Sequence, residues 1–143
     1  MKSVAAFLMV TGFLVVSGVL AQDKKETEKL DGKWLVISVE RDGKPDDSLK
    51  GAVRTNAGDS YTLTPKDGKG IPGTFKVDPT KKPKTMDMMP GEGRYKGKTL
   101  LGIYELEGDT LKICFAEPGK DRPSEFASKP GSGVVLALHK REK

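Results

Sequence analysis

Cys114 and His139 are the side chains of this sequence best suited to nucleophilic chemistry, and each is the only residue of its type. A nucleophilic thiol needs a depressed pKa and a nearby base, usually a histidine. In the run TLKICFA (110–116), strand alternation places Cys114 on the face opposite the bulky apolar residues. We therefore interpret Cys114 as a small semi-buried hydrophobic residue and His139 as structural or solvent-facing. A Cys114–His139 pair across the fold is the less favoured alternative.

Other signatures of catalysis or metal binding are missing from the sequence. One histidine and one cysteine cannot supply the three or four ligands of a zinc site. The Gly-Lys-Thr run at 97–99 has neither the upstream glycine nor the following helix of a phosphate loop. We predict no catalytic residue, no metal and no cofactor, and we expect that the protein is not an enzyme.

Asp87 and Arg122 are the charged pair of greatest interest. Asp87 interrupts the apolar run TMDMM (85–89), and Arg122 lies in a loop that Pro118 and Pro123 stiffen. A partly buried carboxylate needs a partner, and a guanidinium offers it two donors. We predict a structural clasp between the two side chains that holds the loop over one end of the fold. In the alternative, Arg122 lies at the mouth of the fold and binds the carboxylate or phosphate of a ligand.

Short strands separated by turns must position these residues. Gly108-Asp109 is the tightest hairpin signal, and no segment has a sustained helical period. Regular strands with short polar connections indicate an all-β fold, here an up-and-down antiparallel barrel of about eight strands. An immunoglobulin-like sandwich is the second choice. The predicted strands are 33–41, 52–55, 60–64, 74–78, 85–89, 98–107, 110–117, 124–128 and 134–141.

The N-terminus has the pattern of a secretory signal peptide. Lys2 precedes an apolar run that ends in small residues, so we expect cleavage after Ala21 and a mature chain that begins at Gln22. An uncleaved anchor helix is the alternative. Residues 22–31 are polar and predict an arm or a short helix before a barrel domain at 32–143. The expected location is periplasmic or extracellular, with no stable membrane anchor after cleavage.

Composition limits the choice of partners. The formal net charge is +5, but the lysines are scattered, and the densest cluster is KKPK at 81–84. Nucleic-acid binding requires a basic face with interleaved aromatic residues, so we predict no nucleic-acid partner. A single cysteine cannot form an internal disulfide, and packing alone must hold the fold.

Four segments together resemble an uncharacterised lipocalin-like domain family that is abundant in planctomycete bacteria. They are GKW at 32–34, DPTKKPKTMD at 78–87, GIYELEGDTLKICFAEPGKDRPSEF at 102–126 and VVLALHKRE at 134–142. The resemblance implies a calycin-type barrel that opens with a GxW strand. It also implies that Arg141 packs across Trp34 and closes one barrel end.

These observations favour binding over catalysis. A barrel of about eight strands holds packed side chains or one small ligand. We expect a monomeric, non-catalytic binding module for a small apolar or anionic ligand. In the alternative, large side chains fill the interior, and the protein is a solid-core structural or interaction domain that contacts an envelope protein. The aromatic candidates for the interior are Tyr61, Phe75, Tyr104 and Phe115.

Overall fold

Nine β-strands form one antiparallel sheet in the computed structural model, which describes residues 25–143. From β3 to β9 each strand pairs with the next, and β1 pairs with both β3 and β9, so eight strands close into a barrel. The two-residue strand β2 pairs with the end of β1. The predicted all-β, up-and-down barrel is confirmed. The strands are β1 (Gly32–Arg41), β2 (Lys44–Pro45), β3 (Val53–Ala57), β4 (Ser60–Thr64), β5 (Ile71–Asp78), β6 (Lys84–Pro90), β7 (Leu100–Glu107), β8 (Thr110–Ala116) and β9 (Val134–Arg141).

Two short helices complete the described fold. Helix α1 covers residues 25–30, and a 3-10 helix covers Asp47–Leu49 after β2. The described part of the polar segment predicted at 22–31 is thus mainly helical. The predicted signal peptide at 1–21 lies outside the described residues. No helix among residues 25–143 has both the length and the apolar character needed to cross a membrane.

A bulge in β1 determines which of its side chains face the interior. Val36 is buried, Ile37 is 42% exposed, and Val39 is buried again. The register between β1 and β9 shifts between Val36 and Ser38. An extra residue in one strand resets the two-residue alternation. Val36 and Val39 therefore both face inward, although residues three apart in a regular strand point to opposite faces.

The predicted strand at 124–128 is wrong, because these residues form bends at 124–126 and irregular backbone at 127–128 within the connection between β8 and β9. Both edges of β8 are already paired, one with β7 and the other with β9. A closed barrel leaves no edge to which a further strand could add. The connection packs instead on the outer wall, where the carbonyl oxygens of Glu125 and Ala127 lie 3.6 and 3.9 Å from Cys114 Sγ.

One end of the barrel, the closed end, is covered by α1. Leu30 at the end of this helix has no exposed surface, and its carbonyl oxygen accepts the indole N–H of Trp34 at 2.9 Å. The guanidinium of Arg141 lies 4.2 Å from the centre of the Trp34 ring. It also donates to the carbonyl oxygens of Lys29 and Asp31 at 3.0 Å each. Because the last carbonyls of a helix have no partner within it, Arg141 satisfies them while it covers Trp34.

A buried carboxylate ties α1 to the far side of the barrel. Glu26 is 4% exposed and accepts hydrogen bonds from Lys84 Nζ at 2.8 Å and Tyr104 Oη at 2.6 Å. Burial raises the pKa of Glu26, but these hydrogen bonds and the charges of Lys84 and Lys29 outweigh it and leave the pKa lowered. The carboxylate of Glu26 at the closed end thus has both a charged partner and a hydroxyl donor.

Candidate ligand-binding cavity

At the opposite end of the barrel, the open end, the interior contains a cavity of about 230 Å³. Its wall is mostly apolar, and its mouth lies at loop 91–99, where Glu92, Gly93 and Arg94 are exposed. An engineered apolar cavity of about 150 Å³ binds benzene, and drug-sized ligands occupy about 300–1,000 Å³. The volume therefore suits a small ligand. The apolar wall includes Val36, Leu63, Met88, Leu100, Ile113 and Phe115.

Arg54 is a charged side chain inside the barrel, on the wall of this cavity. It lies on β3 and is 5% exposed. Its Nε donates to Asn56 Oδ1 at 2.8 Å, whereas its terminal nitrogens lie 3.4 Å from Met88 Sδ and 4.0 Å from Met86 Sδ. Thioether sulfur is a weak acceptor. Among the described residues, the terminal N–H groups of Arg54 thus have no strong side-chain acceptor.

Aromatic rings flank the Arg54 guanidinium, but no carboxylate of the part of the chain that the structure describes does. Its central carbon lies 4.4 Å from the ring centre of Tyr61 and 5.4 Å from that of Phe75. None of the ion pairs within residues 25–143 includes Arg54. Burial lowers the pKa of Arg54 to about 10, so the side chain is still protonated at neutral pH. A buried cation that lacks an anion is costly, and ring faces offset only part of that cost.

His139 also lies on the cavity wall, and it is neutral. Its Nδ1 is 3.1 Å from the carbonyl oxygen of Leu111. Because a carbonyl can only accept, Nδ1 carries the hydrogen. Burial, with a smaller contribution from the positive charge of Arg54, lowers the pKa of His139 to about 3 despite this hydrogen bond. His139 therefore adds no second positive charge to the cavity at neutral pH.

Tyr95, on loop 91–99, brings a further polar group to the cavity wall. Its hydroxyl oxygen is buried and has no hydrogen-bond partner among the described residues. The ring packs against the core, and the guanidinium of Arg94 lies 5.1 Å from its centre. A buried hydroxyl without a partner loses its hydration and gains nothing in return.

The aromatic residues predicted for the interior lie at different depths. Tyr61 and the half-buried Phe115 line the cavity. Phe75 and Tyr104 are 2% and 1% exposed and belong to the packed core, and Tyr104 reaches the closed end through Glu26. The interior is therefore packed at one end and hollow at the other.

Asp87 and Arg122 lie in contact on the outer wall. Arg122 Nη1 donates to Asp87 Oδ1 at 2.6 Å and to the carbonyl oxygen of Gly102 at 2.8 Å. The side chains are 38% and 31% exposed for Asp87 and Arg122 respectively. Met86 and Met88 are buried and point inward, so Asp87 lies on the face opposite them. The expected position over a barrel end is wrong, because Asp87 is the middle residue of β6 and strand alternation turns its side chain to the outer face.

A broad groove of about 650 Å³ surrounds this ion pair on the outer wall. Lys76, Lys81 and Lys82 line it together with Arg122. The groove is shallow and polar compared with the interior cavity. Because Nη1 of Arg122 already donates to two oxygens of the protein, the contacts favour the clasp over ligand binding by this residue.

Cys114 and His139 lie on opposite sides of the barrel wall. Cys114 is buried beneath the connection between β8 and β9, whereas His139 faces the interior. Burial raises the pKa of Cys114; the contact with the backbone of Ala127 opposes it with a smaller effect, and the negative charge of Glu125 adds the smallest contribution upward. A raised pKa disfavours the nucleophilic thiolate. Within residues 25–143, no three His, Cys, Asp or Glu side chains are grouped so that they could hold a metal ion.

Reasoning from the sequence missed Arg54, Tyr95 and Glu26. Strand alternation contained a signal for the first, because Arg54 pairs in register with the inward-facing Leu63 and lies in phase with the buried Asn56. An arginine in a short strand is ordinarily assigned to the solvent face, and that assumption hid the signal. Tyr95 lies in a loop, where no period fixes the direction of a side chain. Glu26 lies in α1, four residues before the buried Leu30 and so on the same helix face, but a glutamate is ordinarily assigned to solvent.

Comparison of the chain with protein-family models, curated proteins and solved structures found no match. The class of protein that the geometry itself defines is a closed eight-stranded antiparallel β-barrel with an interior cavity at one end. The resemblance to a lipocalin-like family stays a prediction.

Proposed function

We propose that this protein is a non-catalytic binding module that holds a small, mainly apolar ligand in the open end of its barrel. The observation that carries the proposal is the cavity of about 230 Å³, which has an apolar wall and a mouth at loop 91–99. Concave, mostly apolar sites with a few polar groups are the usual form of a small-molecule site. Arg54, Tyr95 and His139 are buried or half-buried polar side chains of this one that form no ion pair with any charged side chain of residues 25–143, whereas Arg41 pairs with Asp46 and Glu92 and Arg94 lie exposed at the mouth.

A structural or interaction domain in the cell envelope is the second candidate. The groove on the outer wall supports it, because Lys76, Lys81 and Lys82 there could meet an acidic partner surface. The hollow open end favours the first candidate, since a domain that works through its outer face gains nothing from an interior cavity. Such a cavity lowers stability because its lining atoms lose packing contacts.

Filling the cavity tests the proposal. Ala137 lines the cavity and is 8% exposed, so Ala137→Phe places a ring in the ligand volume. Ile37→Phe is the matched control, because Ile37 is 42% exposed on the outer face. Native mass spectrometry of protein purified from its own cells should show a bound small molecule in the wild type and control, but not in Ala137→Phe. Calorimetric titration with octanol should give the same pattern.

The proposal fails if the purified wild type carries no small molecule and binds neither octanol nor other small apolar probes. It also fails if Ala137→Phe folds and binds as tightly as the Ile37→Phe control, since the ligand would then lie elsewhere. The outer groove would become the principal candidate site in that case.

We also propose that the chain is exported and that Gln22 is the mature N-terminus. Support comes from the sequence alone, in which Val19 and Ala21 fit the small-residue rule for cleavage. N-terminal sequencing of protein from the envelope fraction should begin at Gln22. A full-length chain retained in the inner membrane would contradict this proposal.

A further inference from the structure

The cavity contains one positive charge that no anion of residues 25–143 neutralises. Arg54 is 5% exposed, and within residues 25–143 no ion pair includes it. The other arginine that lines the cavity inside a strand, Arg41, pairs with Asp46 at 3.1 Å. Arg94 lies at the mouth, where solvent surrounds it. The interior is thus one negative charge short of neutrality.

The unpaired groups of Arg54 and Tyr95 are both hydrogen-bond donors, and an anion accepts hydrogen bonds from such groups. The terminal nitrogens of Arg54 contact weakly accepting sulfurs, and the Tyr95 hydroxyl has no partner among the described residues. Both residues line the same cavity. A planar carboxylate matches a guanidinium fork and has lone pairs left over for a hydroxyl donor.

We propose that the ligand is a monoanionic amphiphile, a carboxylate attached to a compact apolar body, and that Arg54 is its counterion with Tyr95 as a further donor. This inference rests on the proposed function, because it names the chemical class of ligand for the same cavity. The apolar body lies against the side chains of Val36, Leu100 and Phe115.

Charge and volume define the class more closely. One buried cation balances one negative charge, and His139 is neutral, so a dianion such as a phosphate monoester would bury an uncompensated charge. An amine would meet the like charge of Arg54. The cavity of about 230 Å³ limits the apolar body to a short chain or a small ring.

Calorimetric titration with four head groups on one chain tests the inference. The probes are octanoate, octanamide, octyl phosphate and octylamine. We expect octanoate to bind wild-type protein at least about tenfold more tightly than octanamide, because hydrogen bonds to a charged acceptor are roughly twice as strong as neutral ones. Octyl phosphate and octylamine should bind more weakly than octanoate.

Two variants locate the head group. Arg54→Met replaces the charge by an apolar chain of similar length among methionines, so it should fold and weaken octanoate binding by about 30-fold or more, with octanamide nearly unaffected. Tyr95→Phe alters only loop 91–99, so it keeps the test available if Arg54→Met does not fold. It should weaken octanoate binding about tenfold.

The outcomes separate this inference from the proposed function. If octanamide or octanol binds as tightly as octanoate and Tyr95→Phe and Arg54→Met change nothing, the cavity binds ligands but the anionic class is wrong. Preference for octylamine or octyl phosphate would overturn the inference in the same way. If no probe binds the wild type, both the proposed function and this inference are wrong.

Discussion

Acidification should destabilise this protein through His139 well before its carboxylates matter. The pKa of this imidazole is about 3 in the folded protein, because it is buried near Arg54, against an ordinary value of 6.5. Between these two values the unfolded chain binds a proton that the folded chain does not. Stability therefore falls by about 1.4 kcal/mol for each pH unit of acidification in this window.

Between about pH 7 and pH 4.5 the expected loss is about 2.5 kcal/mol, a large share of the ~5–15 kcal/mol that small domains have. The carboxylates act later. Glu26, Asp46 and Asp78 have lowered pKa values, so the stabilisation they provide is lost only below their ordinary values of 4.5 and 3.8. Because His139 is the chain's only histidine, the loss above about pH 4.5 is attributable to it.

Urea unfolding of three proteins across this pH range measures the effect. In His139→Asn the amide N–H can still donate to Leu111, and no proton is taken up, so its free energy of unfolding should change by less than about 0.5 kcal/mol. Glu26→Gln is the matched control, which should keep the wild-type slope. A wild type whose stability is flat above about pH 4.5, or a His139→Asn slope equal to that of the wild type, would refute the reasoning.

Three further predictions concern the wall and the closed end. Trp34→Ala should destabilise by about 3–5 kcal/mol, and the wild-type fluorescence of this single tryptophan should be that of a buried indole, because Trp34 has no exposed surface. A double-mutant cycle of Asp87→Ala and Arg122→Ala should give a coupling of about 0.5–1 kcal/mol, since both side chains are about a third exposed. Strict additivity there would contradict the clasp. Cys114 should react with a thiol reagent no faster than the protein unfolds, because it is buried and its pKa is raised; rapid modification of the folded protein would show that its cover opens.

The strands of the barrel were predictable because their residues follow a period of two. The Gly108-Asp109 turn between β7 and β8 fixes their pairing so that Tyr104 and Ile113 lie opposite each other inside. The contact of Asp87 with Arg122 lies where residue type suggested a pairing, and the contact of Trp34 with Arg141 lies where the resemblance to a lipocalin-like family implied one.

The direction in which a charged side chain points was not predictable from type alone. Arg54 points inward and Asp87 outward, although each lies in a strand and carries a charge. The buried neighbours in each strand determine both directions. Arg54 is two residues from the buried Asn56 and shares its face, whereas Asp87 is one residue from the buried Met86 and Met88 and so lies on the face opposite these methionines. Whether the interior is filled was also beyond the sequence. A cavity depends on how side chains from many strands pack together, and the residue pattern of one strand does not predict that packing.

The two ends of the barrel differ in how fully their polar groups are satisfied. At the closed end, the carboxylate of Glu26 and the indole N–H of Trp34 both have partners. On the wall of the cavity, Arg54 has no anion and the Tyr95 hydroxyl has no partner among the described residues. Native proteins leave few buried polar groups unsatisfied, and each exception needs a cause. Packing imperfections would scatter such groups through the molecule, whereas here both line the one cavity whose mouth is at loop 91–99. This shared location is expected of a binding site whose ligand joins an anionic group to an apolar body.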